Sequence, residues 1–89
     1  MRVHASPGVS AAILADGSLV LTSELTGSNY QYSSVNAAMW IALRQHGGDC
    51  DAAANMLAVV WGADPVNARA DMEMWAEELC DAGLVHIGC

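Results

Sequence analysis

The stretch that decides the fold is Asn29-Tyr30-Gln31-Tyr32-Ser33-Ser34. Its first four residues alternate polar and aromatic side chains, the period of a strand with one face turned to a core. The serine pair that follows supplies a hydroxyl of the kind that opens a helix. The segment thus reads as a strand at a sheet boundary feeding a helical part. A boundary strand leaves backbone groups unpaired along one side. A second chain can pair there by main-chain hydrogen bonds while its alternate side chains fill pockets. No other segment points as directly to a function.

Working upstream, Gly8 to Leu14 carries small and branched apolar residues, and Asp16-Gly17 is a strong two-residue hairpin signal. Ser18-Leu19-Val20-Leu21-Thr22 then resumes an extended pattern. Thr26-Gly27-Ser28 gives a second turn, so Asn29 to Tyr32 is the third strand of an antiparallel meander, with both tyrosines toward the core side. Downstream, Ser34 is the expected N-cap of a helix from Val35 to about His46, with Val35, Met39, Ala42 and Leu43 at helical spacing and Gly47-Gly48 as its end. Asp49 caps a second helix carrying Ala53, Met56, Leu57 and Val60, stopped by Gly62. Asp64-Pro65 starts a third, whose stripe Ala68, Met72, Trp75 and Leu79 runs to Gly83. Leu84 to Ile87 is too short a run to decide between strand and fraying. The predicted class is α+β, winged helix-turn-helix-like: a three-stranded antiparallel sheet followed by three helices.

Composition narrows the function. A chain of 89 residues makes one small domain with little room for an enclosed active site. Its net charge of −7, with Arg2, Arg44 and Arg69 as the only Lys or Arg residues, repels a phosphate backbone, so nucleic acid is not expected as a partner. Although 54% of the residues are hydrophobic, no apolar run approaches the roughly 20 residues that cross a bilayer. Met1 to Pro7 lacks the apolar segment of a secretion signal, which makes the cytoplasm the expected location. Cys50, Cys80 and Cys89 form no Cys-x-x-Cys pair. Of these and His4, His46 and His86, only His86 and Cys89 stand three apart. Neither a disulfide framework, a metal site nor a cofactor is expected, and no phosphate loop or nucleophile-base motif suggests an enzyme.

Order and spacing together carry a family likeness. The run Asp16-Gly17-Ser18-Leu19-Val20-Leu21, then Leu25-Thr26-Gly27, Tyr30-Gln31-Tyr32 and Ala37-Ala38-Met39-Trp40, resembles the PqqD-like peptide-recognition domains. Gly47-Gly48-Asp49, Trp61-Gly62-Ala63-Asp64-Pro65, Ala68 to Leu79 and Ala82-Gly83-Leu84 are similar to that family's closing helices. The likeness spans residues 8–85, leaving 1–7 as a flexible N-terminus and 86–89 as a tail. The chain departs from the family pattern at Asp49-Cys50 and at Ser33-Ser34, where Asn-Pro is frequent; both departures concern caps.

The resemblance implies a recognition element for ribosomally made, modified peptides, similar to the free-standing leader-binding proteins of lasso-peptide pathways. On that footing a precursor's leader adds as an antiparallel strand to the third strand, in the groove beside the third helix. It is then presented to a leader peptidase and a lasso cyclase. The implied peptide-binding residues are Asn29, Tyr30, Gln31 and Tyr32 on the strand and Asp71, Met74, Trp75 and Glu78 on the helix.

Each of these residues also has an ordinary structural role. Tyr30 and Tyr32 are suited to closing a small sheet against helices, so the strand's contribution to binding lies in its backbone. Trp75 shares the register of Met72 and Leu79 and is expected in the core, whereas Met74 is out of register and available for contact. Acidic residues on the third helix suit a solvated face and, against a ligand, favour basic or hydroxyl side chains. Two rivals remain: a winged-helix DNA-binding regulator, disfavoured by charge, and a thiol protein acting through Cys50 or Cys80.

Overall fold

The computed structural model describes residues 1–88, and Cys89, the end of the predicted tail, lies outside them. Five strands and three helices follow one another as β1 (Arg2–Ala5), β2 (Val9–Ile13), β3 (Leu19–Ser23), β4 (Asn29–Tyr32), α1 (Ser34–Gln45), α2 (Cys50–Trp61), α3 (Pro65–Asp81) and β5 (Val85–Gly88). The meander has the order β2-β3-β4, antiparallel throughout, with Leu19 opposite Tyr32 and Leu21 opposite Tyr30. Leu19 and Leu21 are fully buried, and the tyrosines opposite them pack against the same core. This is the α+β, winged-helix-like arrangement expected from the pattern.

Local chemistry explains the boundaries. The first hairpin closes on the Leu14 N–H to Ser18 carbonyl bond (2.9 Å), so its loop is Ala15-Asp16-Gly17, one residue longer than the two-residue turn expected. Gly17 takes the left-handed conformation (φ 88°) that ends such a three-residue loop. The Asp16 carboxylate accepts from both the Ser18 hydroxyl (2.6 Å) and the Ser18 N–H (2.9 Å), which holds its pKa below the ordinary value. Helix α1 begins one residue earlier than expected, at Ser34, because Ser33 is the residue with extended backbone whose hydroxyl faces the Asn36 N–H (3.5 Å). Asp49 and Asp64 cap α2 and α3, accepting from Ala52 N–H (3.2 Å) and Val66 N–H (2.8 Å), and Pro65 occupies the first turn of α3, where its missing N–H is no loss.

The chain's two ends depart most from expectation. Residues 2–5, assigned to a flexible N-terminus, form β1, and residues 85–88, partly assigned to a tail, form β5; the two pair antiparallel from Arg2–Gly88 to Ala5–Val85. Val3 and Val85 are buried in the core, which gives this second sheet an apolar anchor. The Val3 N–H also bonds the Gly48 carbonyl (2.8 Å) and the Cys50 N–H bonds the Met1 carbonyl (3.1 Å), tying β1 to the start of α2. Four-residue strands whose partners lie at opposite ends of the chain leave almost no local signal.

Gly48 is where this junction is tightest. Its φ is 89°, and a Cβ there would collide with the Val3 carbonyl oxygen. Gly62, the C-cap of α2, has φ 64° but faces open space. Gly48→Ala is therefore expected to lower stability by about 2–4 kcal/mol, from backbone strain plus steric displacement of β1. For Gly62→Ala the expected loss is about 1 kcal/mol, from conformation alone. Urea denaturation of the two variants, followed by circular dichroism, checks that order.

Candidate functional site

The free edge of β4 follows from backbone bookkeeping. Leu14–Ser18 and Gly8–Glu24 bonds set the phase of the β2–β3 ladder, and the Ser23 N–H bond to the Ser28 carbonyl (3.0 Å) sets that of β3–β4. In an antiparallel ladder, bonded and non-bonded pairs alternate. Leu19 and Leu21 therefore bond to Tyr32 and Tyr30, while Asn29 and Gln31 turn their N–H and C=O groups away from the sheet. No strand pairs with that outer side among the described residues. On the sheet's outer face, the Asn29 side chain accepts from the Thr22 hydroxyl (2.9 Å), and the Gln31 amide donates to the Ser18 hydroxyl (3.4 Å).

Beside β4 opens a groove of about 710 Å³ lined by Tyr32, Asn36, Met39, Asp71, Met74, Trp75 and Glu78. Helix α3 supplies four of these because Asp71, Met74, Trp75 and Glu78 follow the i, i+3, i+4, i+7 spacing of one helical face. Trp75 is buried and meets Tyr32 edge to face, with ring centroids 5.5 Å apart and planes at 79°. Burial and the nearby Glu78 charge raise the Tyr32 phenol above its ordinary pKa, so at neutral pH it stays protonated and able to donate.

Two features set this groove apart. Met74 is 69% exposed, a large apolar side chain presented to solvent on the groove's wall. In addition, the Trp75 indole nitrogen is the one buried side-chain polar atom without a hydrogen-bond partner among the described residues. Natural structures rarely leave such a donor unpaired, since doing so costs roughly 1–3 kcal/mol.

Of the eight residues singled out in the sequence, Tyr32, Asp71, Met74, Trp75 and Glu78 converge on the groove, whereas Asn29, Tyr30 and Gln31 extend along the strand away from it. Asn36 and Met39, from the first turns of α1, were missed. Met39 looks like any core methionine in the helical stripe, and only the tight β4–α1 connection brings that end of α1 to the groove that Trp75 lines.

The other chemically able residues are dispersed. No group of three or more His, Cys, Asp or Glu side chains is placed to hold a metal among the described residues. Among the described residues no helix is long and apolar enough to cross a membrane. Cys50 is buried, and its thiol is pushed up to about 11, chiefly by burial and then by the charges of Glu73 and Asp51.

The class this geometry defines is a winged-helix-like α+β domain whose β4 sheet edge leads into a groove walled by α1 and α3. Two solved structures share the fold. TbiB1 in complex with the TbiA(beta) leader peptide superposes with a TM-score of 0.83 at 19% identity, covering 97% of this chain and 98% of that one. A lasso peptide synthetase B1 complexed with the leader peptide gives 0.79 at 18% identity, covering 98% and 100%. No protein-family model and no curated protein matches the sequence.

The thiols provide a test of the redox rival. With dithionitrobenzoate at pH 7, Cys50 is expected to stay unmodified in the folded protein and to react only after denaturation, whereas exposed Cys80 reacts at once. Peptide mapping of the labelled protein distinguishes them, and rapid native labelling of Cys50 would revive a role for its thiolate.

Proposed function

We propose that this domain binds the leader segment of a ribosomally synthesised precursor peptide as an added antiparallel strand on β4, and presents it to a leader peptidase and a lasso cyclase. The observation that carries the proposal is the outward-facing backbone of Asn29 and Gln31 on the same strand whose last residue, Tyr32, lines the groove with Trp75. The fold shared over nearly the whole chain with two proteins held in complex with leader peptides supports it. The domain acts here by binding, with no catalytic step of its own, in the cytoplasm where precursor peptides are made.

The physical division of labour is simple. Asn29 and Gln31 each offer one donor and one acceptor, and net contributions of about 0.5–1.5 kcal/mol per bond give affinity that any extended backbone can use. Alternate side chains of the added strand then fall on the face of Tyr30 and Tyr32, where the groove selects them. Met39, Met74 and the two rings suit an apolar side chain, and the exposed carboxylates of Asp71 and Glu78 suit a flanking Lys or Arg.

The DNA-regulator alternative requires a helix that tolerates phosphates. Helix α3 carries Asp71, Glu73, Glu77, Glu78 and Asp81 against Arg69 alone, which opposes that use.

Calorimetric titration with the leader of a precursor encoded beside this chain is expected to show saturable one-to-one binding; no binding to any such leader rejects the proposal. Gln31→Pro, which deletes the outward N–H, is expected to weaken binding by about tenfold or more, and Gln31→Ala by less than about threefold. Replacing Asp71 and Glu78 together by Asn and Gln is expected to slow association and flatten its salt dependence, with little change in dissociation, as stopped-flow measurements would report.

A further inference from the structure

The meander has a second bare edge, and its chemistry is the opposite of the first. In the β2–β3 ladder the bonded pairs are Ser10–Thr22 and Ala12–Val20, so Ala11 and Ile13 point their backbone groups outward. Edge strands are commonly guarded by a charge, a proline or a bulge, but Val9-Ser10-Ala11-Ala12-Ile13 has neither a charge nor a proline and pairs without a break. Ile13 is 49% exposed, and α1 leaves Ile41 43% exposed across from it. Between them lies a groove of about 680 Å³ whose walls include Val9, Ala11, Ile13, Trp40, Ile41 and Arg44.

Charge distinguishes the two sides. The chain has ten carboxylates against three arginines, yet none of the ten lines this groove. Nor does any line the neighbouring 310 Å³ cavity, which shares Trp40 and Arg44 and adds His4. Arg44 is exposed between the two hollows. Eight of the ten carboxylates lie from Asp49 to Asp81, among them the Asp71 and Glu78 that flank the groove of α3. A second copy of this chain, itself at −7, meets long-range repulsion on approach and has no carboxylate within either hollow to offer Arg44.

We infer that the β2 edge and its groove against α1 form a second docking surface, for an extended segment of another protein that is apolar on one face and carries a carboxylate opposite Arg44. This segment binds while the leader occupies the β4 edge. The two edges lie on opposite sides of β3, so one sheet holds both strands without competition. The inference rests on the proposed leader-binding role only for its choice of probe, the processing enzymes to which the leader must be handed.

The test immobilises the full chain, saturates it with leader peptide, and measures binding of the purified leader peptidase and cyclase encoded beside it. At least one enzyme is expected to bind. Arg44→Glu and Ile13→Lys are each expected to weaken that binding by about tenfold, with Arg44→Lys near wild type and leader affinity unchanged in all three. Thermal melts confirm that the variants are folded. The inference is overturned if neither enzyme binds, if binding is indifferent to both substitutions, or if sedimentation shows a dimer that both substitutions dissolve, which would make a second copy the occupant. Loss of leader binding in the wild type alone would reject the leader-binding role and leave the enzyme result to be judged separately.

Discussion

Everything at the β4 edge depends on how Leu19 and Leu21 are held. Both are fully buried, and burial of a leucine is worth about 1.5–3 kcal/mol relative to exposure. A slip of β3 by one residue would turn both outward and carry Val20 and Thr22 into the core. That penalty fixes β3, and β3 fixes β4 through the pairs Leu19–Tyr32 and Leu21–Tyr30. Once the tyrosines spend their backbone groups on β3, Asn29 and Gln31 must face away. The bare edge is thus a direct result of core packing, since strand side chains and backbone bonds alternate together.

The same constraint explains why so much was legible in the sequence. Asn29 to Tyr32 alternates because one face is packed and the other wet, and the helices announce themselves through caps at Asp49 and Asp64 and stops at Gly62 and Gly83. Along α3, the spacing that buries Met72, Trp75 and Leu79 also fixes which way Asp71, Met74 and Glu78 point, so the groove's α3 wall was readable without coordinates. What escaped was non-local. Strands β1 and β5 join the two ends of the chain, and each is too short to impose a period of its own. Asn36 and Met39 escaped for a related reason. Their place on the groove depends on the angle at which α1 leaves β4, which no helical stripe encodes. The hairpin loop erred by one residue because Asp16-Gly17 fits both a two-residue turn and the last two positions of a three-residue loop. The Ser18 bonds to Asp16 then select the longer form.

A domain that keeps two uncharged sheet edges open invites its own copies to pair, and this chain holds none of the lysines that commonly guard such edges. Its protection is collective. A net charge of −7 on 89 residues opposes the approach of a like molecule at long range, whereas a charge placed on the edge itself would also obstruct the ligand. Screening limits that repulsion to about 8–10 Å at ordinary ionic strength, so it discourages encounters without interfering with hydrogen bonds once a complementary strand has arrived. The uneven placement of the carboxylates adds selectivity. On the proposed role, those around α3 attract a cationic segment to β4, and their absence around Arg44 leaves the β2 side free of that attraction.

On the proposed role, affinity and discrimination come from different parts of the molecule. Backbone pairing at Asn29 and Gln31 is indifferent to ligand sequence, so alone it would accept any extended polypeptide. Discrimination falls to the groove, where Tyr32, Met39, Met74 and Trp75 present polarizable surfaces that adapt to shape, and where Asp71 and Glu78 bias the charge. A methionine-lined wall of this kind tolerates variation in the apolar anchor while penalising an acidic one, because a carboxylate there would be desolvated beside two of its own sign. The expected behaviour is a binder that is permissive about the shape of the anchor and strict about the charge next to it. On the proposed role, that combination suits a domain that catches a peptide quickly and holds it extended for another protein to act on.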